Sequence, residues 1–119
     1  MRAFLCCLIV ALLAASAARV SAHAVLTKAS VRDTPVPAGT ATSVTLTFNT
    51  GIEPGFTQVV LRSDGPDREL TATAGAKPSD VVVALPPLPA GIYALRYKVL
   101  AADGHVTEGV QRFQVSAGE

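Results

Sequence analysis

The chain has 119 residues, with ten basic and nine acidic side chains and two histidines, a formal charge of +1 when histidine is neutral. That balance is too even to hold nucleic acid or an anionic membrane surface by electrostatics. The two cysteines, Cys6 and Cys7, sit at the very start, so no disulfide framework can staple the rest of the chain.

Met1-Arg2-Ala3 is followed by an apolar run from Phe4 to Ala18 and then by Arg19-Val20-Ser21-Ala22. A short basic start, an apolar middle and small residues at a cleavage point are the layout of a secretory signal. The run is shorter than the roughly 20 residues that a permanent membrane-spanning helix needs, and no later stretch is a second candidate. Residues 1–22 are therefore expected to be removed, leaving 23–119 as one exported domain with no membrane insertion. Loss of Arg2 and Arg19 turns the formal charge to −1. Ala15-Ser16-Ala17 satisfies the same small-residue rule and is the alternative cleavage point.

Beyond the signal, short runs alternate apolar and polar residues with the period of half-buried strands. They are Val25 to Val31, Ser43 to Asn49, Thr57 to Arg62, Glu69 to Ala74, Val81 to Leu85, Tyr93 to Val99 and Val110 to Val115. Proline- and glycine-bearing turns separate them, as in Pro35-Val36-Pro37-Ala38-Gly39 and Pro86-Pro87-Leu88-Pro89-Ala90-Gly91. No sustained helical period appears. About seven strands at this spacing predict an all-β Greek-key sandwich of the immunoglobulin-like kind, with a small barrel as the nearest competitor. In the strand from Gly91, Tyr93, Leu95, Tyr97 and Val99 share one face, which predicts that the tyrosine face is buried. Tyr93, just past a turn, is placed to bond its hydroxyl back to that corner.

The two histidines carry the candidate chemistry. Cleavage after Ala22 makes His23 the first residue, where a free α-amine and the ring Nδ1 together can close a chelate on a metal ion. His105 stands in Ala102-Asp103-Gly104-His105, and two residues apart Asp103 and His105 can point to one side of an extended segment, with Gly104 allowing a bend between them. Three nitrogens and one carboxylate oxygen suit one Cu(II) ion. Zinc ranks second, because no thiolate is present for a tetrahedral site. Cu(I) is poorly served, since the single methionine is Met1.

The residues from His23 onward resemble the CopC family of periplasmic copper-binding proteins. The resemblance rests on His23-Ala24-Val25-Leu26 and Ser30, Leu46-Thr47-Phe48, Gly51-Ile52-Glu53-Pro54-Gly55-Phe56, the stretch from Leu88 to Val99, and the closing Asp103-Gly104-His105 with Gly109, Phe113 and Val115. It implies a cupredoxin-like or immunoglobulin-like sandwich and a Cu(II) site of His23, Asp103 and His105. It further implies no enzymatic activity, and copper sequestration, resistance or delivery to an inner-membrane importer of the CopD type. Thr50 stands where many members have a glutamate near the copper, and whether Glu53 replaces it is left open. Tyr97 stands where tryptophan is common, and Val31 and Val106 replace frequent prolines. The absence of a methionine-rich loop marks a Cu(II)-only type. The competing functions are a metal-free immunoglobulin-like adhesion module and a histidine-brace copper oxygenase, the latter disfavoured because Asp103 would fill a position that such chemistry needs open.

Overall fold

The computed structural model describes residues 24–117. The expected signal segment and His23 lie outside the described residues. Among the described ones, no helix is long and apolar enough to cross a membrane.

The described chain forms β1 (Leu26–Ala29), one helical turn α1 (Ser30–Asp33), β2 (Val36–Pro37), β3 (Thr42–Phe48), a 3-10 turn (Pro54–Phe56), β4 (Gln58–Arg62), β5 (Arg68–Leu70), β6 (Ala72–Ala74), β7 (Asp80–Leu85), β8 (Gly91–Leu100) and β9 (Val106–Ser116). One sheet has the order β1-β3-β7-β6 and the other β2-β9-β8-β4-β5. All pairings are antiparallel except that of β2 with β9. The expected all-β sandwich is thus the architecture found.

Alternation explains the packing. Val44, Leu46 and Phe48 of β3 and Val81, Val83 and Leu85 of β7 point inward from one sheet, and Val59, Leu61, Leu95, Tyr97 and Val99 point inward from the other. The intervening residues face solvent, as a strand with one buried face requires. Phe48 and Tyr97 meet edge to face across the sheets, with centroids 5.4 Å apart. The buried face of β8 is the tyrosine face, as its alternation predicts. Tyr93 donates its hydroxyl to the Pro89 carbonyl at 2.7 Å and stacks on Phe113, so the corner at residues 89–91 is closed by a side chain. Gly109 lies opposite Tyr97 in the β8–β9 register, and a Cβ there would collide with the tyrosine ring and hydroxyl.

Three stretches depart from the sequence pattern. Glu69 to Ala74, expected as one strand, divides at Thr71: β5 pairs with β4 in one sheet and β6 with β7 in the other. Leu70 and Ala72 both keep their apolar sides to the core while the pairing partner changes, so the alternation runs unbroken through the crossing. After Ala29 the chain turns once into α1, where the Ser30 Oγ accepts a bond from the Thr45 N–H at 3.0 Å. Finally β9 starts at Val106 rather than Val110, through pairing with β8; its inward positions Thr107, Gly109 and Gln111 are not apolar, so alternation does not reveal this half of the strand. With β2 added from a stretch expected to be a turn, the described residues form nine strands rather than about seven.

Candidate metal centre

At the end of the sandwich opposite the Tyr93 corner, β8 and β9 are joined by Ala101 to His105. Ala101 N–H donates to the His105 carbonyl at 2.8 Å, and Gly104 N–H donates to the Ala101 carbonyl at 2.9 Å. Gly104 has φ +91°, a conformation that glycine adopts without strain and other residues rarely do. The loop is tied sideways as well. Ala102 N–H donates to the Gly51 carbonyl and Glu53 N–H to the Leu100 carbonyl, each at 2.9 Å, and Ile52 bridges Ala101.

This frame sets Asp103 against His105. The Asp103 Oδ1 accepts the His105 backbone N–H at 3.1 Å, and Oδ2 lies 3.1 Å from His105 Nδ1. The bonds from the His105 backbone and ring hold the Asp103 carboxyl below its ordinary range. Burial has little part in this, since the aspartate is exposed. An exposed, ionised carboxylate and an imidazole on one short loop are a chemically competent pair of donors for a divalent cation.

The start of the described chain is fastened to the same end of the molecule. Val25 N–H donates to Asn49 Oδ1 at 2.8 Å, and Asn49 N–H returns a bond to the Val25 carbonyl at 3.0 Å. Asn49 is two residues from Gly51, which holds Ala102, and Ala24 is buried at 2% exposure. Asn49 escaped the sequence reading: an asparagine after a strand reads as a turn residue, and its side-chain bond to a distant N–H leaves no local signal.

Of the expected ligands, Asp103 and His105 are brought together. His23 lies outside the described residues, and among those described no group of three or more histidine, cysteine, aspartate or glutamate side chains is arranged to hold a metal ion. Glu53 is exposed, and its backbone carbonyl accepts from the Phe56 N–H at 3.2 Å and from the Thr57 hydroxyl at 3.0 Å, as in a turn. It does not join Asp103 and His105 in such a group. A cavity of about 350 Å³ beside the loop is lined by Phe56, Lys98, Leu100 and Val106 and includes neither Asp103 nor His105.

Fold and site together define an all-β sandwich that presents a carboxylate–imidazole pair on a braced loop at one end. A model of the CopC domain matches residues 26–116. The chain is also similar to the crystal structure of CopC from Methylosinus trichosporium OB3b, at 30% identity and a TM-score of 0.68, covering 82% of this chain and 97% of that one. A second similar structure is PcoC, a methionine-rich copper resistance protein from Escherichia coli, at 25% identity and a TM-score of 0.59, with 80% and 100% covered. A search of curated protein sequences returns no match. The chain belongs to the CopC family, a family of non-enzymatic, periplasmic copper-binding proteins.

Proposed function

We propose that this chain is exported, cut after Ala22, and holds one Cu(II) ion through the α-amine and Nδ1 of His23, the imidazole of His105 and the carboxylate of Asp103. The observation that carries the reading is the pairing of Asp103 and His105 at 3.1 Å on the loop to which Val25 is linked through Asn49 and Gly51. The described chain begins at that same end of the sandwich. With no methionine or cysteine after residue 22, the donor set is nitrogen and oxygen only, which favours Cu(II) over Cu(I). The role is sequestration of the ion or its delivery to an inner-membrane importer of the CopD type.

Intact mass of the secreted protein tests the first step, with His23 expected as the first residue. Titration with Cu(II) is then expected to give a one-to-one complex with nitrogen hyperfine structure in its paramagnetic spectrum, and to raise the melting temperature because the ion binds the folded state. His105→Ala is expected to lose that complex. A parent protein that takes up no copper, or one that begins at another residue and binds equally well, would overturn the assignment.

A further inference from the structure

β9 is the longest of the described strands, and most of one side of it has no neighbour. β8 pairs with it from Val106 to Val115, but β2 reaches it only at Val115 and Ser116. Ala101 N–H donates to the His105 carbonyl, and antiparallel bonding alternates from there, so Thr107, Gly109, Gln111 and Phe113 bond to β8. The peptide groups of Val106, Glu108, Val110 and Arg112 therefore turn the other way, to the side on which the Ser116 carbonyl accepts from Ala38 N–H at 2.9 Å. Among the described residues the one bond to these groups runs from Gln111 Nε2 to the Arg112 carbonyl, at 2.7 Å.

An unpaired edge is a template for another strand, and sheets usually blunt it with a bulge, a lysine, a proline or a short strand. The other edges are treated in this way. β1 carries Lys28 and a break in register beside it, β2 ends on Pro37, and β5 and β6 have three residues each. Residues 106–112 have none of these devices and keep an unbroken register with β8. Their outward side chains are Val106 and Val110, each 54% exposed, and Glu108 and Arg112, which make no ion pair among the described residues. On the inward side Thr107, Gly109 and Gln111 are half-buried, and Thr107 Oγ1 is buried without a hydrogen-bond partner.

We propose that this edge takes the β9 strand of a second copy of the chain, antiparallel about a two-fold axis through Val110. A two-fold contact must match a surface to itself, and this strand does so in one register. With Val110 opposite Val110, Glu108 of each copy stands opposite Arg112 of the other, and the peptide groups that turn outward on both strands are the ones that bond. One step along the ladder in either direction sets Glu108 opposite Val110 or Gln114 and loses both charge pairs. Opposite charges directly across an antiparallel pair are favourable, and like charges are unfavourable. The Arg112 carbonyl keeps a second lone pair for the incoming Glu108 N–H, and β2 ends the pairing beyond Gln114. The contact uses neither Asp103 nor His105, so it does not depend on the copper reading.

Sedimentation of the secreted protein, with a metal chelator present, tests the proposal. The parent is expected to pass from monomer to dimer as its concentration rises from micromolar to millimolar. Glu108→Arg and Arg112→Glu are each expected to weaken the dimer about tenfold, because each sets like charges opposite one another twice. The double variant Glu108→Arg/Arg112→Glu is expected to regain the parent affinity. An equimolar mixture of the two single variants is expected to form a mixed dimer, since each supplies the charge that the other lacks. Val110→Pro removes an N–H that the monomer does not use, and is expected to stay monomeric while keeping the parent's circular dichroism. A parent that remains monomeric at millimolar concentration overturns the proposal, as does a dimer indifferent to the single charge reversals. Failure of both the double variant and the mixture to restore association overturns it as well. Should Val110→Pro fail to fold, the charge exchange still decides.

Discussion

The two ends of the sandwich are built on different principles. At the Tyr93 corner, a stacked aromatic pair and a side-chain bond to the Pro89 carbonyl close the structure, and the polar group is spent on the fold. At the other end, backbone bonds among Ala101, Ala102, Gly51, Glu53 and Leu100 support the loop, leaving Asp103 and His105 exposed and bonded to each other. Where side chains hold the fold they are spent on it; where the backbone holds it, exposed polar side chains can face a ligand. The comparison predicts that stability and copper binding separate along the long axis of β8 and β9.

The largest effect is expected between the ends, in the core. Leu95 is fully buried, and Leu95→Ala is expected to cost about 3 kcal/mol in urea unfolding, with one Cu(II) still bound per folded molecule. Copper stoichiometry falling in parallel under conditions where the variant is fully folded would show that the site is not independent of the core. At the corner, Tyr93→Phe removes one hydrogen bond and keeps the ring stack, so a loss of about 1 kcal/mol is expected, with copper affinity unchanged. At the loop the order is reversed: His105→Ala is expected to abolish copper binding but to alter metal-free stability by less than about 0.5 kcal/mol, as substitutions at exposed positions usually do.

The smallest effect concerns acid. The folded carboxyl of Asp103 is lowered by its bonds from His105. Its stabilising contribution is therefore fully present above the ordinary carboxyl pKa and is lost as the pH falls through the lower folded value. The parent and Asp103→Asn, compared in urea midpoints from about pH 5 to about pH 2, are expected to converge toward the acid end. A gap that widens in acid would mean that the pair acts in the opposite sense.

Much of this was legible in the residues because alternation is a local record of burial. Ser43 to Asn49 and Tyr93 to Val99 carried their buried faces openly, and the hydroxyl of Tyr93 found the corner that its position after Gly91 suggested. The Asp-Gly-His spacing likewise pointed to the contact between Asp103 and His105. The crossing at Thr71 was hidden because an alternating pattern names the buried side but not the strand it pairs with. The first half of β9 was hidden by Thr107, Gly109 and Gln111, inward positions that are small or polar, Gly109 because Tyr97 covers it and Gln111 in its bond with Arg32. Asn49 was hidden because a hydrogen bond across the chain has no period.

By itself, the sequence determined the sandwich class, the buried face of most strands, and the closeness of Asp103 to His105, since each of these depends on residue type and short-range spacing. The tertiary structure alone decided that β5 and β6 belong to different sheets, that Asn49 and Gly51 join the beginning of the described chain to the Asp103 loop, and that the Thr107 hydroxyl is buried without a partner. Those features arise from backbone bonds and packing between distant segments, and such long-range contacts are fixed only when the whole chain has folded.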